Sequence, residues 1–231
     1  MKLVRISTEN NFNCTDTEYN QIKSFETKYP TKTFFVNSNI NTPKLDNIKN
    51  HKHKAVITIN PDLVVDLNKL KRLEAIKHKV SFVRVKWLPY NQSIKDLIIQ
   101  LSKRFKVVIT VQRFRNYETM IKFTSRNYYE WKHNYFRLNE NCFQQLVDFK
   151  NGLSNVYICD ENHKGCIGCG YCSRFNGGES NDIQELNLSS SGVCRFNCPS
   201  CFAKCIQKYT GRIAFDVIKQ NDKQKGKLNY T

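Results

Sequence analysis

Ala55-Val56-Ile57-Thr58-Ile59 and, farther along, Val107-Val108-Ile109-Thr110-Val111 are short, nearly continuous β-branched runs. Successive side chains of a strand point to opposite faces, so runs with hardly a polar break belong to strands covered on both sides. Val80-Ser81-Phe82-Val83-Arg84-Val85 lies between them, and Leu3-Val4-Arg5-Ile6 and Phe34-Phe35-Val36 come before. Tyr135-Phe136-Arg137-Leu138, Val156-Tyr157-Ile158-Cys159 and Glu185-Leu186-Asn187-Leu188 follow as later strand candidates. The segments between carry helical periodicity. Ile94, Leu97, Ile98, Leu101 and Phe105 fall on one helix face with Ser93 placed to cap it, and Leu67, Leu70, Leu73 and Ile76 form a second stripe. Ile22, Phe25 and Tyr29 suggest a helix near the start, and Phe143, Leu146 and Val147 one after Asn139. Thr42-Pro43 reads as the cap and first turn of a short helix through Ile48. Repeated strand–helix–strand order predicts an α/β fold with a mostly parallel sheet, open or closed into a β/α barrel.

Nearly every candidate strand ends in polar residues: Ser7 to Asn10, Asn37 and Asn39, Asn60, Lys86, Gln112-Arg113, Asp160, and Ser189 to Ser191. The carboxyl ends of parallel strands share one edge, where ligands bind, so the series predicts a site at that rim. Three portions are expected: an α/β portion over 1–158, a cysteine-rich region over 159–212 and a basic tail over 213–231, without periodicity from Lys219.

At 231 residues the chain is long enough for one substantial core. No stretch approaches the ~20 apolar residues of a membrane span, and the opening Met1 to Ser7 lacks the apolar run of a signal peptide. The expectation is a cytoplasmic protein, where clustered thiols serve metals rather than disulfides. Thirty-seven Lys and Arg against 20 Asp and Glu leave a net charge of +17, a field that attracts polyanions such as nucleic acid. Aromatic residues alternate with basic ones from Arg113 to Arg137, including Arg115, Tyr117, Arg126, Tyr128, Tyr129, Trp131 and Lys132. That mixture suits unpaired bases and phosphates, although a basic surface over an aromatic core is the preferred reading of it.

Eight of the ten cysteines crowd between positions 159 and 205. The first group is Cys159, Cys166, Cys169 and Cys172, and the second is Cys194, Cys198, Cys201 and Cys205. Thiolates two or three residues apart can turn to one ion or cluster without large backbone movement. Cys14 and Cys142 stand alone, and Cys142, beside a helical apolar stripe, reads as a small buried hydrophobe. His163 lies within the first group and reads as a loop histidine, since four thiolates already suffice there.

The stretch from Leu186 through Ser189-Ser190-Ser191-Gly192-Val193 to Cys194-Arg195-Phe196-Asn197-Cys198-Pro199-Ser200-Cys201 resembles the cluster loop of radical SAM enzymes. The resemblance implies that Cys194, Cys198 and Cys201 hold three irons of a [4Fe-4S] cluster, whose fourth iron takes S-adenosylmethionine. It also implies an auxiliary cluster at Cys159, Cys166, Cys169 and Cys172, a reductant protein as partner, and a nucleic acid or protein as substrate. In that family the loop follows the first barrel strand. Here it stands near the end of the chain, so a partial barrel would be circularly permuted. Gly177-Gly178-Glu179, ahead of the second group, reads as a turn. Zinc is the competing metal: Cys166-x2-Cys169 with Cys198-x2-Cys201 matches paired knuckles of a non-catalytic, nucleic-acid-binding module. An electron carrier with two clusters is a third reading.

Overall fold

The computed structural model describes residues 3–8, 16–43, 45–50, 53–60, 65–132, 134–159, 171–177 and 183–188. Seven strands form one sheet: β1 (Leu3–Thr8), β2 (Thr33–Asn39), β3 (Lys54–Ile59), β4 (Val80–Trp87), β5 (Val107–Val111), β8 (Val156–Ile158) and β9 (Ile183–Leu188). Every pairing in it is parallel, in the order β8-β5-β4-β3-β2-β1-β9. The strand candidates thus become strands of an α/β sheet, with one exception. Tyr135–Leu138 (β7) leaves the sheet and pairs antiparallel with β6 (Tyr129–Lys132), making a hairpin of its own.

Alternation along the strands explains the continuous apolar runs. Val4, Ile6, Val36, Ile57, Val85, Ile109 and Ile158 belong to the larger core, together with Ile22 of α1 (Asp16–Lys28) and Leu73 of α2 (Leu67–Ala75). Ile98 of α3 (Gln92–Ser102) and Leu146 of α5 (Glu140–Asn151) join the same core, as does Met120 of the short α4 (Tyr117–Ile121). Leu3, Phe35, Val56, Phe82 and Val108 form a second cluster on the opposite face, covered by α6 (Tyr171–Phe175). Right-handed crossovers that always step in one direction put their helices on one face of a sheet. From β1 to β5 and on to β8 each new strand is added at the same edge, and α1, α2, α3 and α5 share one core accordingly. β9 is added at the other edge, beside β1. The strand order is therefore the chain order written in a circle and opened between β8 and β9.

One local expectation is corrected and one refined. The cap of α3 is Asn91, whose side-chain oxygen accepts from the Ile94 N–H at 3.0 Å, and Ser93 lies inside the first turn. Tyr90, at φ 58°, ends the preceding turn and leaves Asn91 as the extended residue from which a carboxamide reaches the free N–H groups. The segment after Thr42-Pro43 is a 3-10 helix, Leu45–Asn50. The Thr42 hydroxyl is hydrogen-bonded to that of Ser38 at 3.0 Å, while the Thr42 carbonyl accepts from Leu45 and from Arg72. No described helix is long and apolar enough to cross a membrane.

Candidate functional site

The face opposite the helix layer changes character along the strands. At the amino ends it is apolar: Leu3, Phe35, Val56, Phe82 and Val108. Two residues on in each strand the same face carries Arg5, Asn37, Thr58, Arg84 and Thr110, and the register sets Thr58 level with Arg84 and Arg84 with Val108. α6 lies on the apolar half. Phe175 packs edge-on to Phe82 at 5.7 Å and against Tyr157 at 5.0 Å, and Tyr171 meets Tyr157 at 5.1 Å. Lys106 Nζ sits 4.7 Å from the Phe175 ring centre, and the Ser81 hydroxyl donates to the Asn176 side chain.

Two cysteines of the first group meet this face. Cys159 follows β8 directly, its N–H donating to the Ile109 carbonyl at 2.7 Å, and its side chain packs on the same apolar cluster as Cys172. Arg84 Nη2 donates to the Cys172 sulfur at 3.4 Å. N–H donors to ligand sulfurs are a lever on the potential of a cluster. Neither cysteine is in a disulfide. Cys166, Cys169, Cys194, Cys198, Cys201 and Cys205 lie outside the described residues, as do His163 and Cys14. Among the described residues no three His, Cys, Asp or Glu side chains converge on a metal-sized site. Gly177 stands in the turn expected of it, at φ 78°. Cys142 is buried, as its apolar surroundings foretold, and burial pushes its thiol upward.

The carboxyl edge carries a further sign of a ligand. Asn37 Oδ1, Asn60 Oδ1 and Thr110 Oγ1 are buried with no hydrogen-bond partner among the described residues. A buried polar atom left unsatisfied costs about 1–3 kcal/mol, so Asn60 and Thr110 at the ends of β3 and β5 mark a place where donors and acceptors belong, while Asn37 lies farther back, level with Val56. Asn37 and Asn60 belong to the polar strand ends noted in the sequence. Arg84 and Thr110 were missed, although each interrupts an apolar run, the signal that could have exposed them.

Beyond the carboxyl ends of β4 and β5 stand Tyr90 and the segment 112–139, which contains α4 and the β6–β7 hairpin. Its rings do not all serve the core: Tyr117 and Trp131 are exposed, as are Arg115, Arg126 and Lys132. No family model, curated protein or solved structure matches the chain.

Proposed function

We propose that the chain is an iron–sulfur protein of the radical SAM kind, acting on a macromolecular substrate, a nucleic acid or a protein. The position of β9 carries this reading. The strand that runs into the second cysteine group lies beside β1 and parallel to it. Counted from β9, the sheet runs β9-β1-β2-β3-β4-β5-β8, the sequence of a partial β/α barrel whose first strand has been moved to the end of the chain. A cluster loop after the first barrel strand is what the resemblance calls for.

In this reading Cys194, Cys198 and Cys201 hold an open [4Fe-4S] cluster, and Cys159, Cys166, Cys169 and Cys172 hold an auxiliary one. Bound there, the open cluster would supply one-electron reductive cleavage of S-adenosylmethionine, with the electron drawn from a reductant protein. The chain's own residues prepare the place. Asn37 and Asn60 offer buried oxygens that can accept from a ligand's N–H or O–H groups, and Thr110 offers a hydroxyl. The apolar floor of Phe35, Val56, Phe82 and Val108, with Val56 level with Asn37, excludes water. Arg84 supplies an N–H donor to Cys172.

Metal content after oxygen-free purification tests the reading. A brown protein with iron and sulfide in equal amounts is expected. Cys198→Ser should then abolish 5′-deoxyadenosine formation from S-adenosylmethionine and a strong reductant, while Cys169→Ser should lose roughly half of the iron. A colourless protein with stoichiometric zinc would overturn the proposal and leave a zinc-stapled, nucleic-acid-binding module. A brown protein that never yields 5′-deoxyadenosine would leave an electron carrier.

A further inference from the structure

We infer that the excursion between β5 and β8, with Tyr90 beside it, is a stacking platform for single-stranded nucleic acid. Among the described residues six large apolar or aromatic side chains are exposed, and five of them are here: Tyr90 (58%), Tyr117 (45%), Ile121, Phe123 (44%) and Trp131 (55%). Single exposed rings are ordinary, but a cluster of them marks an interaction surface. The rings are held in place rather than loose. Phe114 and Phe136 exchange backbone hydrogen bonds of 3.0 and 2.8 Å, which ties the hairpin to the segment leaving β5. Tyr129 and Leu138, directly opposite each other in the hairpin, are buried in the core, and two residues farther out Trp131 and Phe136 pack edge to face at 4.8 Å. Tyr117 approaches Phe136 at 6.1 Å, and the Tyr90 ring lies 4.4 Å from that of Tyr128. Asn134, at φ 64°, makes the tight turn, a conformation that asparagine tolerates well. Rings fixed before binding lose little conformational freedom on contact.

Charge selects the partner. Residues 112–139 contain six Lys and Arg against two Glu, and one of those, Glu130, lies 3.6 Å from Arg137. Arg115, Lys122, Arg126 and Lys132 are exposed around the rings, with the Arg126 guanidinium 6.0 Å from the centre of Tyr117. Flat rings bordered by cations fit unpaired bases and the phosphates between them. A duplex has its bases already stacked and offers such rings nothing but charge. The platform stands off the carboxyl ends of β4 and β5, toward which the polar half of the face bearing Arg84 and Thr110 runs. This names the substrate class for the chemistry proposed above and rests on that reading only for the word substrate.

Binding is read without turnover, so its outcome is independent of the deoxyadenosine assay. The full chain is titrated into an end-labelled, unstructured 12-nucleotide DNA, the RNA of the same sequence and the corresponding DNA duplex, and affinity is read for every variant from the anisotropy of the label. Trp87 is buried, so Trp131 is the exposed fluorophore of the chain's two tryptophans, and its emission should be quenched as a base stacks on it. Trp131→Ala and Tyr117→Ala should each weaken single-strand binding about 5- to 150-fold at constant salt dependence, with Trp131→Phe retaining most of it. Lys132→Gln should lower the salt slope by about one for every sequence tested. Tighter binding of the DNA or of the RNA strand supports the inference and says which sugar is read. Equal affinity for duplex and single strand, unchanged affinity of Trp131→Ala, or binding indifferent to salt would each overturn it.

Discussion

Tyr129 carries its phenol into the root of the β6–β7 hairpin, where the hydroxyl is buried and has no hydrogen-bond partner among the described residues. Burial, with the neighbouring Cys142 as a smaller cause, pushes its ionisation far above the ordinary value near 10. Cys142 is raised too, by burial first and against a hydrogen bond with Tyr90 that lowers it. For both groups the folded chain holds its proton more tightly than the unfolded one. Their contribution to stability is complete below the unfolded values, about 9 and 10, and is lost as pH climbs from there through the folded values. Urea denaturation between about pH 8 and pH 11 should therefore show falling stability. Tyr129→Phe should flatten that fall and gain up to ~1 kcal/mol at neutral pH, because it removes an unsatisfied buried donor. The role of Cys142 was legible in the sequence because its surroundings are apolar at helical spacing. Arg84 and Thr110 were not: one polar residue in a strand reads as an ordinary interruption until the register shows which face it shares.

At the scale of elements, four helices begin with the same device. Asp66, Asn91, Asn116 and Asn139 each accept from the N–H three residues on, at 2.8 to 3.0 Å. Asn139 also donates to the Asn127 carbonyl at 2.8 Å, joining α5 to the segment that precedes the hairpin. Asn139→Ala should cost about 1–2 kcal/mol in chemical denaturation. Ser93→Ala, at a position the sequence suggested as a cap and the structure sets in the first turn, should stay within about 0.5 kcal/mol. Helical stripes such as Leu70, Leu73 and Ile76 were readable because periodicity is local, although Leu67, which the same spacing includes, is exposed. The partner of Tyr135–Leu138 was not. Tyr129–Lys132 alternates a buried ring with exposed Glu130, Trp131 and Lys132, a pattern too polar to read as a strand until the pairing is seen.

At the scale of the whole molecule, the parallel sheet was legible in the β-branched runs, and a shared polar rim in the residues that end them. The seat of β9 was not, since its neighbour in the sheet is the first strand of the chain and no local pattern records that distance. The face that carries Asn37, Arg84 and Thr110 emerged only from the registers. A strand order that is circular in the chain makes the choice of ends arbitrary for the fold. A permutant opened between Phe175 and Ile183, with the original ends joined through a flexible linker, should keep the circular-dichroism spectrum and cooperative melting of the parent. Loss of cooperative melting would show that β9 depends on its present connection. The same pairing matters while the chain is being made. β1 meets β2 soon after leaving the ribosome, but β9 follows roughly 175 residues later. At about 5–20 residues per second, one edge of β1 waits about 10–35 s for its second neighbour. An unpaired edge is a template for other chains. An interval of risk in this protein's life is therefore the one before β9 is synthesised, and a slow ribosome lengthens it.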